Sequence, residues 1–131
     1  MAIFEAIYGS RAWPTHYTFA PATRVGTLIF VSGTTAVDEN GDIVGAGNIA
    51  AQCRYIYEKL ETLLASAGAS LDNIVATTEY ITTTEGYRET AAVRREVFRG
   101  PPYPTATGVI VAGLLREGAL IEISAVAVLE R

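Results

Sequence analysis

The sequence predicts one α+β domain in which a mixed sheet of six strands carries two helices on one of its faces. Three observations lead to this prediction. Residues 26–37 form a short apolar run bounded by glycine, residues 48–67 repeat apolar side chains at the helical period, and residues 119–130 form a long strand. A chain of 131 residues suits one domain with a substantial core and is too short for two.

The first predicted elements are a hairpin and a buried strand. The hairpin is formed by the segments IFEAIYG (3–9) and HYTFAP (16–21). The run GTLIFVSGTTAV (26–37) follows as a strand, because a continuous apolar run is typical of a strand covered on both faces. The Asn40-Gly41 pair after it is a strong turn signal and predicts a reversal of the chain.

The segment from Asn48 to Ala67 is predicted to be the first helix. Asn48 is a suitable N-cap, and Gly68 is a natural C-terminal stop. At about 100° per residue, its apolar side chains share one arc of the helical wheel. This arc consists of Ile49, Cys53, Ile56, Leu60, Leu63, Leu64 and Ala67.

The remaining elements are strand, helix, strand and strand. Residues 74–83 are rich in β-branched side chains and predict a strand. Residues 85–100 predict the second helix, which ends at Gly100-Pro101, and a further strand begins after Pro104. The last strand occupies residues 119–130.

Both faces of the last strand are largely apolar. One face carries Ile121, Ile123, Ala125, Ala127 and Leu129. The other carries Glu122, Ser124, Val126 and Val128. Because two helices can cover one face of such a sheet, partner subunits are expected to cover the other.

Composition argues against several classes of function. Acidic residues outnumber basic residues by 14 to 10, and no basic run is present, so no nucleic-acid partner is expected. One Cys excludes an internal disulfide, one Cys and one His cannot form a zinc site without several carboxylates, and we expect no cofactor. No signal-peptide pattern and no membrane-length apolar run are present, so a cytoplasmic protein with no membrane partner is expected.

Common catalytic motifs are absent, but several single residues stand out. Ser32, followed by Gly33 at a strand end, fits either a tight structural turn or a hydroxyl and backbone N–H groups that bind a ligand oxygen. Glu122 interrupts an apolar strand and fits either a structural carboxylate or a general acid/base. Cys53 lies on the apolar arc and is expected to be buried. His16 could be a proton shuttle, but a lone His on a loop is more often a polar surface residue.

The stretch PPYPTATGVIV (101–111) leads from a rigid turn straight into an apolar strand. Such junctions often hold ligands, because the turn delivers side chains to a fixed point. The residues Thr105-Ala106-Thr107 at the start of the strand carry no charge and no strong nucleophile. This pattern fits a ligand site that lacks its main functional group. It also fits a turn with a purely structural role.

The order and spacing of these motifs resemble the YjgF/Rid family, also called the L-PSP family. The motifs are the VSG strand end, a turn with G-x-I-V, an early helical Gln (Gln52), the segment AGASLDNIV, a Pro-initiated strand and the closing IEISAVAV. The resemblance implies a single YjgF/Rid-like domain over residues 1–131. It also implies a chorismate-mutase-like fold and a homotrimer with ligand pockets in the clefts between subunits.

Family members with the best-known activity hydrolyse 2-imino and 2-enamino acids to keto acids and ammonia. By resemblance, four residues of this chain match pocket positions in that group. These residues are Tyr17, Ser32, Gly33 and Glu122. The resemblance therefore implies a small-molecule substrate and a proton-transfer role for Glu122.

The chain departs from the active pattern at two positions of that pocket. In the active pattern Pro is followed by Ala-Arg-Ser/Thr, whereas Pro104 is followed by Thr-Ala-Thr, so Ala106 occupies the place of the arginine. An Asn of the second helix is matched by Ala91. Arg94 lies one helical turn beyond Ala91, and it fits either a replacement cation or a structural Arg that pairs with a carboxylate.

The resemblance thus implies a deaminase-type hydrolase that releases ammonia from a small imine or enamine carboxylic acid. A 2-aminomuconate-like dicarboxylate suits the enlarged pocket better than 2-aminoacrylate does. Glu122 is the expected catalytic residue, and the expected substrate-binding residues are Tyr17, Ser32, Gly33, Arg94, Thr105, Ala106 and Thr107. The alternative is a non-catalytic trimer that binds a small metabolite. Ribonuclease activity, attached to the family name, is disfavoured by the acidic balance.

Overall fold

The computed structural model describes residues 3–130 and contains one sheet of six strands. The strands are β1 (Glu5–Ile7), β2 (Ala22–Val25), β3 (Leu28–Thr34), β4 (Ile74–Ile81), β5 (Thr105–Ile110) and β6 (Ile121–Val128). The helices are α1 (Ile49–Ala65) and α2 (Thr90–Phe98), with single 3-10 turns at Leu71–Asn73 and Tyr87–Glu89. The strands lie in the order β1-β2-β3-β6-β4-β5. Because β4 and β5 are parallel and all other neighbours are antiparallel, the sheet is mixed, as predicted.

The second strand of the N-terminal hairpin was predicted at the wrong place. The strand that pairs with β1 is β2, whereas residues 16–21 belong to the loop before it. In this loop the aromatic rings pack on one another: the ring centroids of Trp13 and Phe19 are 5.4 Å apart, and those of Tyr17 and Phe19 are 5.2 Å apart. The aromatic residues form a local cluster. From the sequence alone, their spacing looks the same as the alternating apolar residues of a strand.

The Asn40-Gly41 turn is present as predicted. The Asp38 carboxylate accepts hydrogen bonds from the backbone N–H groups of Asn40, at 2.9 Å, and of Asp42, at 3.0 Å. Gly41 adopts a φ of 85°, which glycine tolerates better than any other residue. Around the turn only a single bridge forms, between Val37 and Ile43.

Helix α1 confirms its predicted caps and most of its predicted buried face, of which Leu63 and Ala67 are only partly buried. The Asn48 side chain accepts a hydrogen bond from the N–H of Ala51 at 3.0 Å, and Gly68 follows the helix with a φ of 79°. Cys53 is fully buried, and burial raises the pKa of its thiol to about 12. The thiol is therefore an apolar packing group, as expected.

Gln52 lies on the buried side of α1, outside the predicted apolar arc. Its side-chain amide donates hydrogen bonds to the carbonyls of Gly45, at 3.2 Å, and Gly118, at 3.1 Å. Its carbonyl accepts a hydrogen bond from the N–H of Leu120 at 2.8 Å. Gln52 thus connects the loop before α1 to the start of β6, and this is the early Gln that the sequence motif contains.

The helices cover only one face of the sheet. On that face the inward side chains of β6 are buried: Ile121, Ile123, Ala125 and Ala127. On the opposite face, called the open face below, Leu28 is 38% exposed, Phe30 45% and Val109 38%. These apolar side chains lack a cover within one chain, so the expected contact with partner subunits stays a prediction.

No helix within residues 3–130 combines the length and the apolar character that crossing a bilayer requires.

Candidate functional site

Glu122 and Gly33 lie in direct contact on the open face. Glu122 is in β6, where its register partner on β4 is Tyr80, and it is half-buried. A Cβ atom placed on Gly33 would stand 2.6 Å from the Glu122 Oε2 atom and 3.0 Å from its Cδ atom. The absence of a side chain at position 33 therefore allows the Glu122 carboxylate to lie against the end of β3. Two predicted site residues are brought together in this way.

Ser32 precedes Gly33 at an irregularity of β3, where the register with β6 shifts between Val31 and Thr34. Its N–H donates to the carbonyl of Pro21 at 2.9 Å, and its Oγ donates to the carbonyl of Ala20 at 2.7 Å. Both hydrogen bonds hold the loop before β2 against β3. The hydroxyl proton therefore has a structural use, while Oγ retains the lone pairs with which it can accept a hydrogen bond from a ligand.

Tyr17 stands in the aromatic cluster of the same loop. Its ring stacks on Phe19 with an interplanar angle of 12°, and its hydroxyl accepts a hydrogen bond from Arg116 Nη2 at 2.9 Å. Arg116 lies in the loop between β5 and β6, and sequence reasoning did not identify it. The only available signal was a single cation in the short segment LLREGAL (114–120) before the last strand. His16 is exposed and contacts the Tyr17 ring edge-on.

The three predicted residues at the start of β5 are exposed, and they do not share one face. Ala106 pairs with the buried Thr77 of β4 and therefore faces the side of the helices. Thr105 and Thr107 alternate with it and face the open side. The alternation of side chains along a strand thus divides the predicted substrate-binding surface between the two faces of the sheet.

Arg94 of α2 forms an ion pair with Glu79 of β4, on the face that carries the helices. Arg94 Nη1 lies 3.3 Å from Glu79 Oε2 and donates to Thr90 Oγ1 at 2.8 Å. The Glu79 side chain is only 3% exposed, and it accepts a further hydrogen bond from the Tyr87 hydroxyl at 2.5 Å. Arg94 therefore pairs with a carboxylate, as one of the two alternatives stated, but only one side of its guanidinium group takes part in this pairing.

The Tyr87 hydroxyl belongs to this cluster of Glu79, Tyr87, Thr90 and Arg94 and donates to Glu79. Burial, followed by the hydrogen bond to Glu79, raises the pKa of Tyr87 to about 12, so its hydroxyl stays a donor near neutral pH. Glu79 was not identified from the sequence. Its signal was an ionisable residue in the strand IVATTEYITT, at the same face as Thr77 and Ile81, both of which are buried.

A cavity of about 340 Å³ adjoins Ser32 and Gly33, between the loop after β1 and α1. Its wall includes Lys59, whose ammonium donates to the carbonyls of Thr35, at 2.8 Å, and Val37, at 3.1 Å. Burial lowers the pKa of Lys59 to about 8. The sequence contains a single lysine, and its burial in this wall was not predicted.

Comparison with known proteins identifies the family of this chain. The family model described as endoribonuclease L-PSP matches residues 10–129. The chain belongs to the L-PSP family, also called the YjgF/Rid family. The resemblance of its sequence motifs to that family is thereby confirmed.

Two curated relatives in this family match most of the chain. The chain is 34% identical to the 3-aminoacrylate deaminase RutC of Acinetobacter baylyi over 109 residues, which cover 83% of this chain and 85% of the relative. It is 32% identical to the RutC family protein YjgH of Escherichia coli over 114 residues, which cover 86% and 84%. Among solved structures, the Rid-family protein YyfA of Yersinia pestis superimposes with a TM-score of 0.86 at 26% identity, covering 96% and 99%.

Within this L-PSP family member, the predicted site residues form two groups on opposite faces of the sheet. Glu122 and Gly33 meet on the open face, next to Ser32. Arg94 lies on the helix face, where Ala106 also points. In one chain the sheet separates the two groups, so a single pocket can contain both only where two protomers meet.

Proposed function

We propose that this chain is a deaminase-type hydrolase that releases ammonia from a small imine or enamine carboxylic acid. The observation that carries the proposal is the Glu122 carboxylate, which lies against Gly33 at the end of β3. A carboxylate held at such a point can transfer protons to and from a bound substrate. The 34% identity to a relative named 3-aminoacrylate deaminase supports this class of reaction.

In the proposed mechanism Glu122 moves each proton of the hydrolysis. Starting as the acid, it protonates the nitrogen of an imine or the carbon of an enamine, either of which gives an iminium ion, and then accepts a proton as water adds to the C=N carbon. The resulting carbinolamine breaks its C–N bond when Glu122 returns that proton to nitrogen, and the hydroxyl proton passes back to Glu122 as the C=O bond forms. The products are a carbonyl compound and ammonia. Tyr17, Ser32 and the backbone N–H of Gly33 hold the substrate in this proposal.

The proposed substrate is larger than 2-aminoacrylate, and a 2-aminomuconate-like dicarboxylate is one example. Ala106 and Gly108 leave little side-chain volume on the helix face of β5, and Ala91 is small as well. Thr105 and Thr107 offer hydroxyl groups but no charge on the other face of the strand. A second carboxylate on the substrate would therefore need a cation from another element.

We also propose that the active form is a homotrimer with pockets between subunits. Exposed apolar side chains on the open face support this assembly, among them Phe30 and Val109. Strand β5 is exposed along its whole length as the edge of the sheet, which supports a neighbour at that edge. The separation of Glu122 from Arg94 by the sheet is a further support for a pocket shared by two protomers.

The second candidate function is a non-catalytic trimer that binds a small metabolite. Two observations favour it: Ala106 supplies no cation for a carboxylate, and the hydroxyl proton of Ser32 is used by the Ala20 carbonyl. Ribonuclease activity, which the description of the family model names, has less support. The exposed arginines Arg54 and Arg99 are paired with Glu96 and Asp72, and acidic residues are in excess.

Ammonia release from freshly formed imines tests the proposed function. An amino acid oxidase can generate 2-imino acids in the assay from alanine, aspartate and glutamate, with and without the protein. The proposal predicts that the protein accelerates ammonia release, more strongly for imines that carry two carboxylates. Hydrolysis at the rate of buffer alone for every imine and enamine, together with retained metabolite binding, would favour the second candidate.

A further inference from the structure

We infer that Arg94 binds a substrate carboxylate through the edge of its guanidinium group that Glu79 does not occupy. The inference rests on the proposed function, because it assigns a contact in the same pocket. In this inference, the cluster of Glu79, Tyr87, Thr90 and Arg94 holds the Arg94 guanidinium group in a fixed orientation toward the substrate.

The hydrogen bonds of Arg94 use only one of its nitrogens. Nη1 contacts both carboxylate oxygens of Glu79, at 3.4 and 3.3 Å, and Thr90 Oγ1 at 2.8 Å. Nε and Nη2 have no hydrogen-bond partner within residues 3–130, although the side chain is only 24% exposed. Three N–H donors of a largely covered guanidinium group are therefore available, in the fork geometry that matches a carboxylate.

The surroundings of Arg94 fix its position. Thr90 Oγ1 donates to the Tyr87 carbonyl at 2.6 Å, and the guanidinium carbon lies 5.6 Å from the centroid of the Tyr87 ring. Glu79 is held in turn by the Tyr87 hydroxyl. Because its acidic partner is almost completely buried, Arg94 cannot swing to solvent without leaving a charge unpaired in the interior.

The cluster adjoins the part of β5 that has almost no side chains. Gly108 is the register partner of Glu79, and a Cβ atom placed on it would lie 3.7 Å from the Tyr87 hydroxyl. Ala106 is the next residue on the same face of this edge strand. A ligand can therefore approach the cluster along β5 without displacing a side chain.

Arg94 and Glu122 lie on opposite faces of the sheet, so they can act on one substrate only from different protomers. A substrate that reaches from one to the other needs a carboxylate distant from the C=N group. This requirement favours a dicarboxylic imine over a short monocarboxylic one. Glu79 acts here as a positioning residue, because it holds Arg94 and does not itself touch the substrate.

Binding of 2-oxo acids, which belong to the product class, tests the inference without turnover. The probes are 2-oxoglutarate, with two carboxylates, and pyruvate, with one, each titrated into the full-length protein by calorimetry. The expected result is binding of 2-oxoglutarate that Arg94→Lys weakens by about 10- to 100-fold, since a charge-assisted bidentate contact is lost. Lysine keeps a cation beside Glu79, so the fold should survive. Arg95→Lys, at an exposed position on the same helix, is the control and should leave binding unchanged.

The role of Glu79 has its own readout. Glu79→Gln should weaken 2-oxoglutarate binding by about 3- to 10-fold and leave the weaker binding of pyruvate unchanged, which a general loss of structure would not do. Equal 2-oxoglutarate affinity in the wild type and in Arg94→Lys, or no binding by the wild type, would overturn the inference. A protein that binds 2-oxoglutarate through Arg94 but hydrolyses no imine would overturn the proposed function alone.

Mixed trimers test whether Arg94 and Glu122 come from different protomers. When Glu122→Gln and Arg94→Lys chains are coexpressed at equal levels, about a quarter of the pockets should contain both the wild-type Glu122 and the wild-type Arg94. Activity should recover to about that fraction of the wild-type value. Activity no higher than the mean of the two separate variants would contradict the two-protomer arrangement.

Discussion

The lack of a side chain at position 33 determines where the Glu122 carboxylate can lie. Gly33→Ala places a Cβ atom 2.6 Å from Glu122 Oε2, and the flexible carboxylate, not the backbone, is the group that must move. A displacement of about 1 Å can cost about 100-fold in rate. We therefore expect a loss of at least about tenfold in turnover with the thermal stability nearly unchanged.

Gly113→Ala is the matched control for this substitution. A Cβ atom at position 113 meets no heavy atom within 4 Å, so the added methyl group should be neutral in both activity and stability. Steady-state kinetics and thermal unfolding of the two variants measure both effects. Wild-type turnover in Gly33→Ala would show that the position of the carboxylate does not matter for catalysis.

A second consequence at the scale of single residues concerns small imines. Ala106 cannot supply the charge-assisted hydrogen bonds that an arginine would give a carboxylate, which are worth about 1.5–3 kcal/mol each. Arg94, on a neighbouring helix, is expected to hold only longer substrates. The imine of 2-aminoacrylate, generated from serine in a coupled assay, should therefore be hydrolysed about 10- to 100-fold less efficiently than by an arginine-bearing family member. Equal efficiency would show that the missing contact is not needed.

At the scale of elements, Lys59 links α1 to the segment that follows β3. Folding lowers the pKa of Lys59 from 10.5 to about 8, chiefly because burial removes water from its ammonium group. Between these two pH values the unfolded chain binds more protons than the folded chain. The contribution of Lys59 to the free energy of unfolding therefore rises with pH through this window and is lowest below it.

Lys59→Met should remove this pH dependence. Urea unfolding at about pH 7 and about pH 9.5 should show that the wild type gains about 1 kcal/mol relative to the variant, after allowance for solvent screening. Cys53 and Tyr87 titrate in both proteins, so their contributions cancel in the difference. A difference that stays constant between the two pH values would mean that folding does not shift this pKa.

The elements with strong local signals were the ones that the sequence predicted well. Helix α1 has its cap, its period and its stop within one segment, and the structure places it at Ile49–Ala65. The second helix was predicted at 85–100, and it begins as a 3-10 turn at Tyr87 before α2. The strand at 16–21 was wrong, because a loop of packed aromatic rings has the same composition as a strand.

The candidate site was predicted in part, for a related reason. Ser32, Gly33 and Glu122 were predicted because their motifs are local, and the contact of Gly33 with Glu122 depends only on the pairing of β3 with β6. The pair of Glu79 and Arg94 depends on how α2 packs over β4, which neither segment specifies alone. Contacts between elements of this kind require the tertiary structure.

At the scale of the whole molecule, the open face predicts self-association. We expect light scattering to give about three times the chain mass of 14.0 kDa at micromolar concentration. Phe30→Glu puts a charge on the apolar open face, where burial against a partner is costly, and should shift the protein toward a monomer. A wild-type mass near 14.0 kDa would contradict the trimer.

Leu115→Glu is the control for the substitution on the open face. Leu115 is fully exposed in the loop before β6 and lies outside the sheet, so a charge there should not change the mass. Dissociation by Phe30→Glu alone would place the subunit contact on the open face.

The turnover of Glu122→Gln tests the central claim most directly. The substrate is the imine or enamine that the ammonia-release screen identifies, and Glu117→Gln, at an exposed position in the preceding loop, is the control. We expect Glu122→Gln to keep its oligomeric state and its ligand binding but to lose about 10²–10⁴-fold in turnover, the range of general acid/base catalysis. Turnover by Glu122→Gln equal to that of the wild type would contradict the account and make Glu122 a structural residue.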